Sequence, residues 1–491
     1  MALYANLVVI YLSGILLNCD VKILDTSMKQ TTLYLFEDYK NNMSLSANDT
    51  VSHRFPFRPI HYLGSKLRLV DFINGAVDAV DSTDGFVCDL FAGTGTVAKY
   101  LSYTRPVISV DVQEYSRVLC SALLNPLKVD FNLLEYKNSE HFSKLSWSME
   151  PLIKYEEDCI KLAVEGDSYP LCDLLENGSI IGYEQGFTKE ASSALLKCLK
   201  KVTSNLNDLG FLFGPEALIS RYYGGLYFSY KQSVQFDAIL DAIVNFQANE
   251  RDHFLAALLS TASDIVNTVG KQFAQPLRPR NSKGIPKRTL GPKAAKDRSH
   301  DVFKMFEVWG ERYKALPRSR FLNQVYRMDC FDALEQMSED IKVVYADPPY
   351  TRDHYSRFYH VLETFCLRDN PTISRTFING KNNISRGVYR VGRHQSPFCI
   401  KSEAPLAFDK MFRKIRDMEA VLILSYSPYN SHKKAHPRLL TIERLKCMAK
   451  KYFTKVSIES FGNFSHSKLN RTDKNFDIRY DAELLIICEQ K

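Results

Sequence analysis

Apolar positions along this chain change their period twice. From Gly85 the blocks are short and separated by small or polar residues. "GFVCDLF" (85–91) has the length of a buried strand, "AGTGT" (92–96) is a tight loop, and "VAKYLSY" (97–103) begins a helix. "VISVDV" (107–112) then reads as a second strand and "EYSRVLCSALL" (114–124) as a second helix. This alternation predicts a parallel, doubly wound sheet. Near residue 130 it stops. Up to about 320 the pattern is mostly helical, with long amphipathic runs such as "FDAILDAIVNFQ" and "FLAALLSTASDIVNTVGKQF". Beyond 320 the first rhythm returns: "VYRMDCFDAL", "KVVYADPPY", "EAVLILSYSP", "KVSIESF" and "AELLIICEQ" each read as a strand or a strand edge.

The predicted fold is therefore a Rossmann-like α/β sheet interrupted by a large, mainly helical insert. Residues 56–130 and 320–491 make the α/β domain, 131–319 the insert, and 1–55 a loosely attached extension. "LVVIYLSGILLNC" (7–19) is shorter than the roughly 20 residues that span a bilayer. No Lys or Arg precedes Lys22, so the basic start of a signal peptide is missing. The segment reads as a small buried or dispensable element or as a targeting anchor, and a start at Met28 or Met43 is a further reading.

Composition narrows the class. With 45% hydrophobic and 24% charged residues, the chain is globular rather than disordered. Its 11 cysteines form no C-x-x-C pair, which argues against a disulfide framework or a zinc ribbon and for a reducing, cytoplasmic setting. No metal is expected. The net charge of +8 is unevenly placed. "LRPRNSKGIPKRTLGPKAAKDRSH" (277–300) holds eight Lys and Arg against Asp297, an excess of +7. Its glycines and prolines predict a cationic loop, suited to phosphate contacts or simply solvated.

Two motifs carry chemistry. In "DLFAGTGTVA", Asp89 ends a strand and Gly93 and Gly95 make the turn, where glycine lets a ligand approach the backbone closely. Asp111 ends the next strand, where a carboxylate reaches a ribose. "GTGTVA" also satisfies the dinucleotide pattern, so a nicotinamide cofactor and an NAD-dependent oxidoreductase stay open. Asp89 favours S-adenosylmethionine, because an acid there repels a pyrophosphate but accepts from an amino-acid ammonium.

The second motif is Asp347-Pro348-Pro349-Tyr350 at the end of a β-branched run. Prolines end the strand and leave carbonyls as acceptors. A carboxylate, a carbonyl and an aromatic face suit a planar base with an exocyclic NH2 group. Acceptors on both N–H groups favour a pyramidal nitrogen and stabilise the positive charge that develops on attack. Such a base cannot be reached within a duplex and must be flipped out.

Together these residues resemble the Dam-like, alpha-class DNA adenine-N6 methyltransferases. "HYLGSK" (61–66) is similar to the family's lysine-containing motif, which implies Tyr62 and Lys66 against the cofactor. "DLFAGTG" is similar to its cofactor loop, matching Asp89, Phe91, Gly93 and Gly95, with Asp111 as the ribose acid. Asp329 in "RMDCFDAL" matches the residue that contacts the cofactor's adenine, and Asp347 also borders the cofactor. The resemblance implies that S-adenosylmethionine methylates the amine of a flipped adenine at a specific site, with cytosine-N4 as the alternative. It implies an inserted domain that recognises double-stranded DNA, and the cationic loop offers Arg278, Arg280, Lys283, Lys287, Arg288 and Lys293 as the DNA contacts. A cognate restriction endonuclease would be a partner where the role is host protection; no membrane partner is expected.

Three further segments bear on that reading. "SRYYGGLYFSYKQ" (220–232) holds aromatics that either stack near the extruded base or fill a core. Arg352, His354, Tyr355 and Arg357 follow DPPY and are expected beside the base pocket, with His354 a polar contact rather than a general base. "FGNFSHSKLNRTDKN" (461–475) is a second candidate backbone contact.

Overall fold

The computed structural model describes residues 57–491, apart from 84, 189, 338, 353, 379–380, 428–437, 462–482 and 491. The expectations for 1–55 and for most of 461–475 lie outside the described residues.

Four strands form where the apolar blocks predict them: β1 (Phe86–Asp89), β2 (Val107–Asp111), β3 (Gln324–Arg327) and β4 (Ile341–Ala346). A hairpin, β5 (Arg375–Ile378) with β6 (Lys381–Ile384), stands apart. β7 (Val421–Tyr426), β8 (Lys455–Ser460) and β9 (Leu484–Glu489) complete a seven-stranded sheet in the order β3-β2-β1-β4-β7-β9-β8. Successive side chains point to opposite faces, and both faces of the inner strands are covered, while the edge strands β3 and β8 stay partly exposed. Val87, Val107, Val343, Ile423 and Leu485 pack on one face, under α1 (Val70–Val80) and α2 (Thr96–Leu101). Their neighbours Cys88, Ile108, Val344, Leu424 and Ile486 pack on the other, beside Phe408, Met411 and Leu445. Double burial is why these strands read as unbroken apolar runs.

One expectation is corrected. The sheet is not wholly parallel, because β9 runs antiparallel to both β7 and β8. A parallel neighbour needs a crossover helix. The sequence between β8 and β9 is polar and has no helical period, so the final strand returns as a hairpin partner.

The helices fall into two groups. α3 (Glu114–Leu124) belongs to the sheet half. The insert contributes α4 (Glu140–Glu165), α5 (Tyr169–Asn177), α6 (Ile180–Glu184), α7 (Ser193–Asp208), α8 (Leu218–Tyr223), α9 (Tyr230–Ile243), α10 (Ala248–Ile265), α11 (Leu290–Arg298) and α12 (Val302–Lys314). The sheet half resumes with α13 (Cys330–Gln336), α14 (Tyr355–Phe358), α15 (His360–Leu367), α16 (Ala404–Asp417) and α17 (Ile442–Ala449). The insert does not hang free: residues 56–491 form one compact unit. Val118 and Leu119 of α3 and Leu362 of α15 share a core with Leu218, Ile239 and Leu258 of the insert.

In the insert, burial decides between two open readings of the aromatic cluster, and one expectation is corrected. Tyr222, Tyr223, Tyr227, Phe228 and Tyr230 are all buried, so this cluster fills a core instead of facing a ligand. Their hydroxyls find partners inside, as when Tyr227 donates to the Phe273 carbonyl at 2.8 Å. The basic segment is not a loop throughout, since its second half is α11. Pro292 lies in the first turn, where its missing N–H has no helical partner to lose. Arg298 is buried at the helix end, paired with Glu156 and donating to the Gly225 carbonyl at 3.0 Å. None of the described helices is long and apolar enough to cross a membrane.

Candidate active site

β1 and β4 are neighbours, while the chain continues from β1 toward β2 on one side and from β4 toward β7 on the other. Crevices of open α/β sheets form at such a reversal, beyond the strands' carboxyl ends. A cleft of about 1070 Å³, counted out to its open mouth, lies there. Asp89, Asp111 and Asp347 all line it, with Tyr62, Lys66, Phe91, Gly93, Asp329 and Pro349. Residues far apart in sequence thus share one cavity.

The glycine loop is fitted to its surroundings. Gly93 and Gly95 adopt φ of +54° and +72°, where side chains are strained. A Cβ on Gly93 would lie 2.9 Å from the Tyr62 hydroxyl, and one on Gly95 2.9 Å from Cys120 Sγ. Tyr62 is held over the loop by stacking on Tyr359, with centroids 4.8 Å apart. Asp111 ties the loop down: its Oδ2 accepts from Gly93 N and its Oδ1 from Gln113 N, both at 2.9 Å. Burial still raises the Asp111 carboxyl above its ordinary value, against the pull of those amides.

Asp89 is 1% exposed. Its Oδ2 accepts from Ala98 N at 3.2 Å, whereas Oδ1 is buried with no partner. Burial, reinforced by the nearby Asp347, pushes its carboxyl up to about 8. An orphaned acceptor of this kind, beside a glycine cradle, fits an ammonium and not a phosphate.

At the other end of the cleft, Lys66 Nζ lies 3.0 Å from Asp347 Oδ2 and 3.2 Å from Glu483 Oε1. Burial pulls the lysine down, but the two carboxylates outweigh it and hold it well above the usual range. Asp347 keeps 22% of its side-chain surface open. Burial raises its carboxyl to about 6, with Lys66 opposing and Glu483 assisting the rise. Pro348 is buried. Tyr350 is not on the cleft wall: its ring packs 4.9 Å from Tyr426, and the Arg438 guanidinium sits 4.8 Å over it. His354 and Tyr355 do line the cleft. Asp329 caps α13, accepting from Phe331 N at 2.8 Å.

The basic residues lie on the insert. Arg278, Lys283 and Arg288 are exposed, and Lys287 and Lys293 half-buried. Arg280 is already engaged, with Nε 2.9 Å from Glu176 Oε2 and its guanidinium over Tyr169. Exposed Arg386 joins them from beyond β6, donating to the Leu277 carbonyl at 2.9 Å. Sequence reasoning missed Arg386 and Glu483. Arg386 stands about 100 positions downstream with no local pattern; Glu483 is marked only as an acid immediately before an unbroken apolar strand, a place where burial was foreseeable.

Comparison with known proteins adds a direction. Residues 62–206 match the family described as D12 class N6 adenine-specific DNA methyltransferase. The chain is 26% identical over 369 residues to modification methylase LlaI of Lactococcus lactis subsp. lactis, covering 75% of this chain and 46% of that protein. It is 24% identical over 385 residues to type II methyltransferase M.NlaIII of Neisseria lactamica, covering 75% and 83%. Against M.FokI of Planomicrobium okeanokoites, 24% identity covers 75% of this chain and 44% of that one. The chain thus spans about half the length of two of these relatives and most of the third.

Proposed function

We infer that this chain, whose residues 62–206 match the D12 class of N6 adenine-specific DNA methyltransferases, is an enzyme that methylates the exocyclic amine of an adenine flipped out of duplex DNA. The observation that carries this reading is the opening of Asp89, Asp111 and Asp347 onto one cleft. Had Asp347 and Asp111 faced separate cavities, no donor bound by one could meet an amine bound by the other.

The residues fit S-adenosylmethionine. Asp89 Oδ1 would accept from its ammonium, Asp111 from its ribose, and the glycine turn leaves room for close approach; Asp329 and Phe91 border the remaining space. When bound, this cofactor supplies a methyl group on a sulfonium, an electrophile for a nitrogen lone pair. The chain's own residues prepare that lone pair. Asp347 accepts one N–H of the amine and the Pro348 carbonyl the other, which withdraws the lone pair from the ring. The ionised Asp347 then faces the positive charge that grows on nitrogen and takes up the departing proton. Positioning supplies much of the remaining rate. A base stacked on Tyr350 requires Arg438 to move aside, whereas Tyr355 already borders the cleft.

The insert serves target recognition in this reading. Arg278, Lys283, Lys287, Arg288 and Lys293 would meet phosphates, with Arg386 extending the cationic surface from the insert to the segment that follows DPPY. Incubation of duplex DNA with methyl-labelled cofactor, followed by nucleoside mass analysis, tests the proposal. N6-methyladenine is the expected product. N4-methylcytosine would correct the base, and no labelled nucleoside would overturn the reading.

A further inference from the structure

Asp347 shares its lysine. Four elements bring the partners together: Lys66 precedes α1, Asp347 follows β4, Ser425 lies in β7, and Glu483 directly precedes β9. The register of β7 on β9 pairs Ser425 with Leu485 and Tyr426 with Leu484, which fixes where Glu483 starts. Ser425 Oγ donates to Glu483 Oε1 at 2.7 Å, and Lys66 Nζ approaches the same oxygen. Glu483 is 1% exposed and Lys66 6% exposed, and Glu483 does not line the cleft.

Charge makes this arrangement informative. A buried lysine beside Asp347 alone would form a neutral pair. Such a pair keeps the aspartate ionised but cancels most of its field at a substrate nitrogen. With Glu483 behind the lysine, two carboxylates share the Lys66 ammonium, and the Glu483 charge opposes the effect of the lysine on Asp347. Lys66 contacts Oδ2 of Asp347, so in this reading the incoming amine takes Oδ1.

We propose that Glu483 is a positioning residue for methyl transfer, holding Lys66 against Asp347 and restoring the negative charge that the lysine would otherwise cancel. The inference rests on the methyltransferase reading above. Asp347 is also faced by Asp89 at the end of β1, by Tyr345 of β4, and by Tyr350 and Tyr355 after it, with Arg438 beyond Tyr350. Removing Glu483 leaves all of these in place, so a change in titration reports on the one charge removed.

The test is the pH dependence of kcat for Glu483→Gln, measured beside cofactor affinity. Glutamine keeps the shape and can still accept from Lys66 and Ser425. We expect kcat at neutral pH to fall about 10-fold with the cofactor Kd unchanged, and the acid limb to move down by about one pH unit. Lys66→Met should move that limb up, the opposite way. Glu483→Asp, which keeps the charge, should return the limb toward its original place. Ser425→Ala, which removes no charge, should shift it slightly in the direction of Glu483→Gln and serves where the glutamine variant fails to fold. An acid limb that coincides in the parent, Glu483→Gln and Ser425→Ala would overturn this inference alone. Absence of methylation by the parent protein would overturn the reading beneath it.

Discussion

Two regions of this molecule bury carboxylates, and they treat them differently. In the helical insert, Asp237 gives one oxygen to Ile219 N and the other to Ser220 N, both at 2.8 Å, and so caps α8. Glu156 accepts from Tyr230 N at 2.7 Å and pairs with Arg298. At the carboxyl edge of the sheet, Asp89 has an oxygen with no partner, and Asp347 shares a lysine with a second acid. Buried polar groups are normally satisfied, and each exception calls for a reason. The insert uses Asp237 and Glu156 to hold structure. The cleft keeps acceptor capacity in reserve, which marks it as the place where something else binds.

The sharpest way to break the contrast is to delete Asp347. Asp347→Ala should lower kcat by about a thousand-fold or more, with cofactor affinity changed only a few-fold. Transfer of labelled methyl groups and calorimetric titration with the cofactor measure the two. Undiminished methylation would remove Asp347 from the chemistry.

A paired experiment tests the two kinds of acid directly. Asp237→Ala should cost about 2–3 kcal/mol of stability, seen in chemical denaturation, because two buried amides lose their acceptor. Asp89→Asn should cost little stability but weaken cofactor binding about 10- to 100-fold. It should also flatten a pH dependence. Folding holds a proton on Asp89 up to about pH 8, whereas the unfolded chain releases it near the ordinary carboxylate value. The ligand-free protein therefore loses stability as pH rises through that window, and the asparagine variant loses less. Equal slopes in parent and variant would contradict an ionisable orphan at this position.

A third check uses the parent protein. Asp347 must be ionised to accept from an amine, and its carboxyl titrates near pH 6. Burial drives that value up and Lys66 restrains it, so kcat should fall as pH drops through about 6 and level off above it. A profile that rises toward acid would invert the assigned role.

The sheet half was legible because its inner strands are buried on both faces, so Val87–Cys88 and Val343–Val344 announce themselves by apolarity alone. The strand-end acids followed, since each is the polar residue that closes such a run. Direction was not legible: the apolar block at 484–489 looks the same whether β9 runs with its neighbours or against them. Nor was the aromatic cluster at 222–230, because a tyrosine that fills a core and one that stacks on a base are the same residue in the sequence. Only the surrounding Phe236, Phe273 and Phe365 decide for the core. Charge partners are likewise invisible from one strand of text, which is why Arg280 read as a free cation and Glu483 was passed over.

The smallest expected effect lies on the insert's surface and separates free cations from engaged ones. Each phosphate contact adds about 0.9 to the slope of log affinity against log salt. Replacing Lys283, Arg288 and Lys293 by Ala should flatten the DNA-binding slope by up to about 2.7. Arg280→Ala should flatten it by less than about 0.9, because that guanidinium is already spent on Glu176 and Tyr169. Fluorescence anisotropy with a labelled duplex over a salt series measures both. An unchanged slope in the triple variant would move the DNA to another face, and a larger change for Arg280 than for the three together would mean that its ion pair opens on binding.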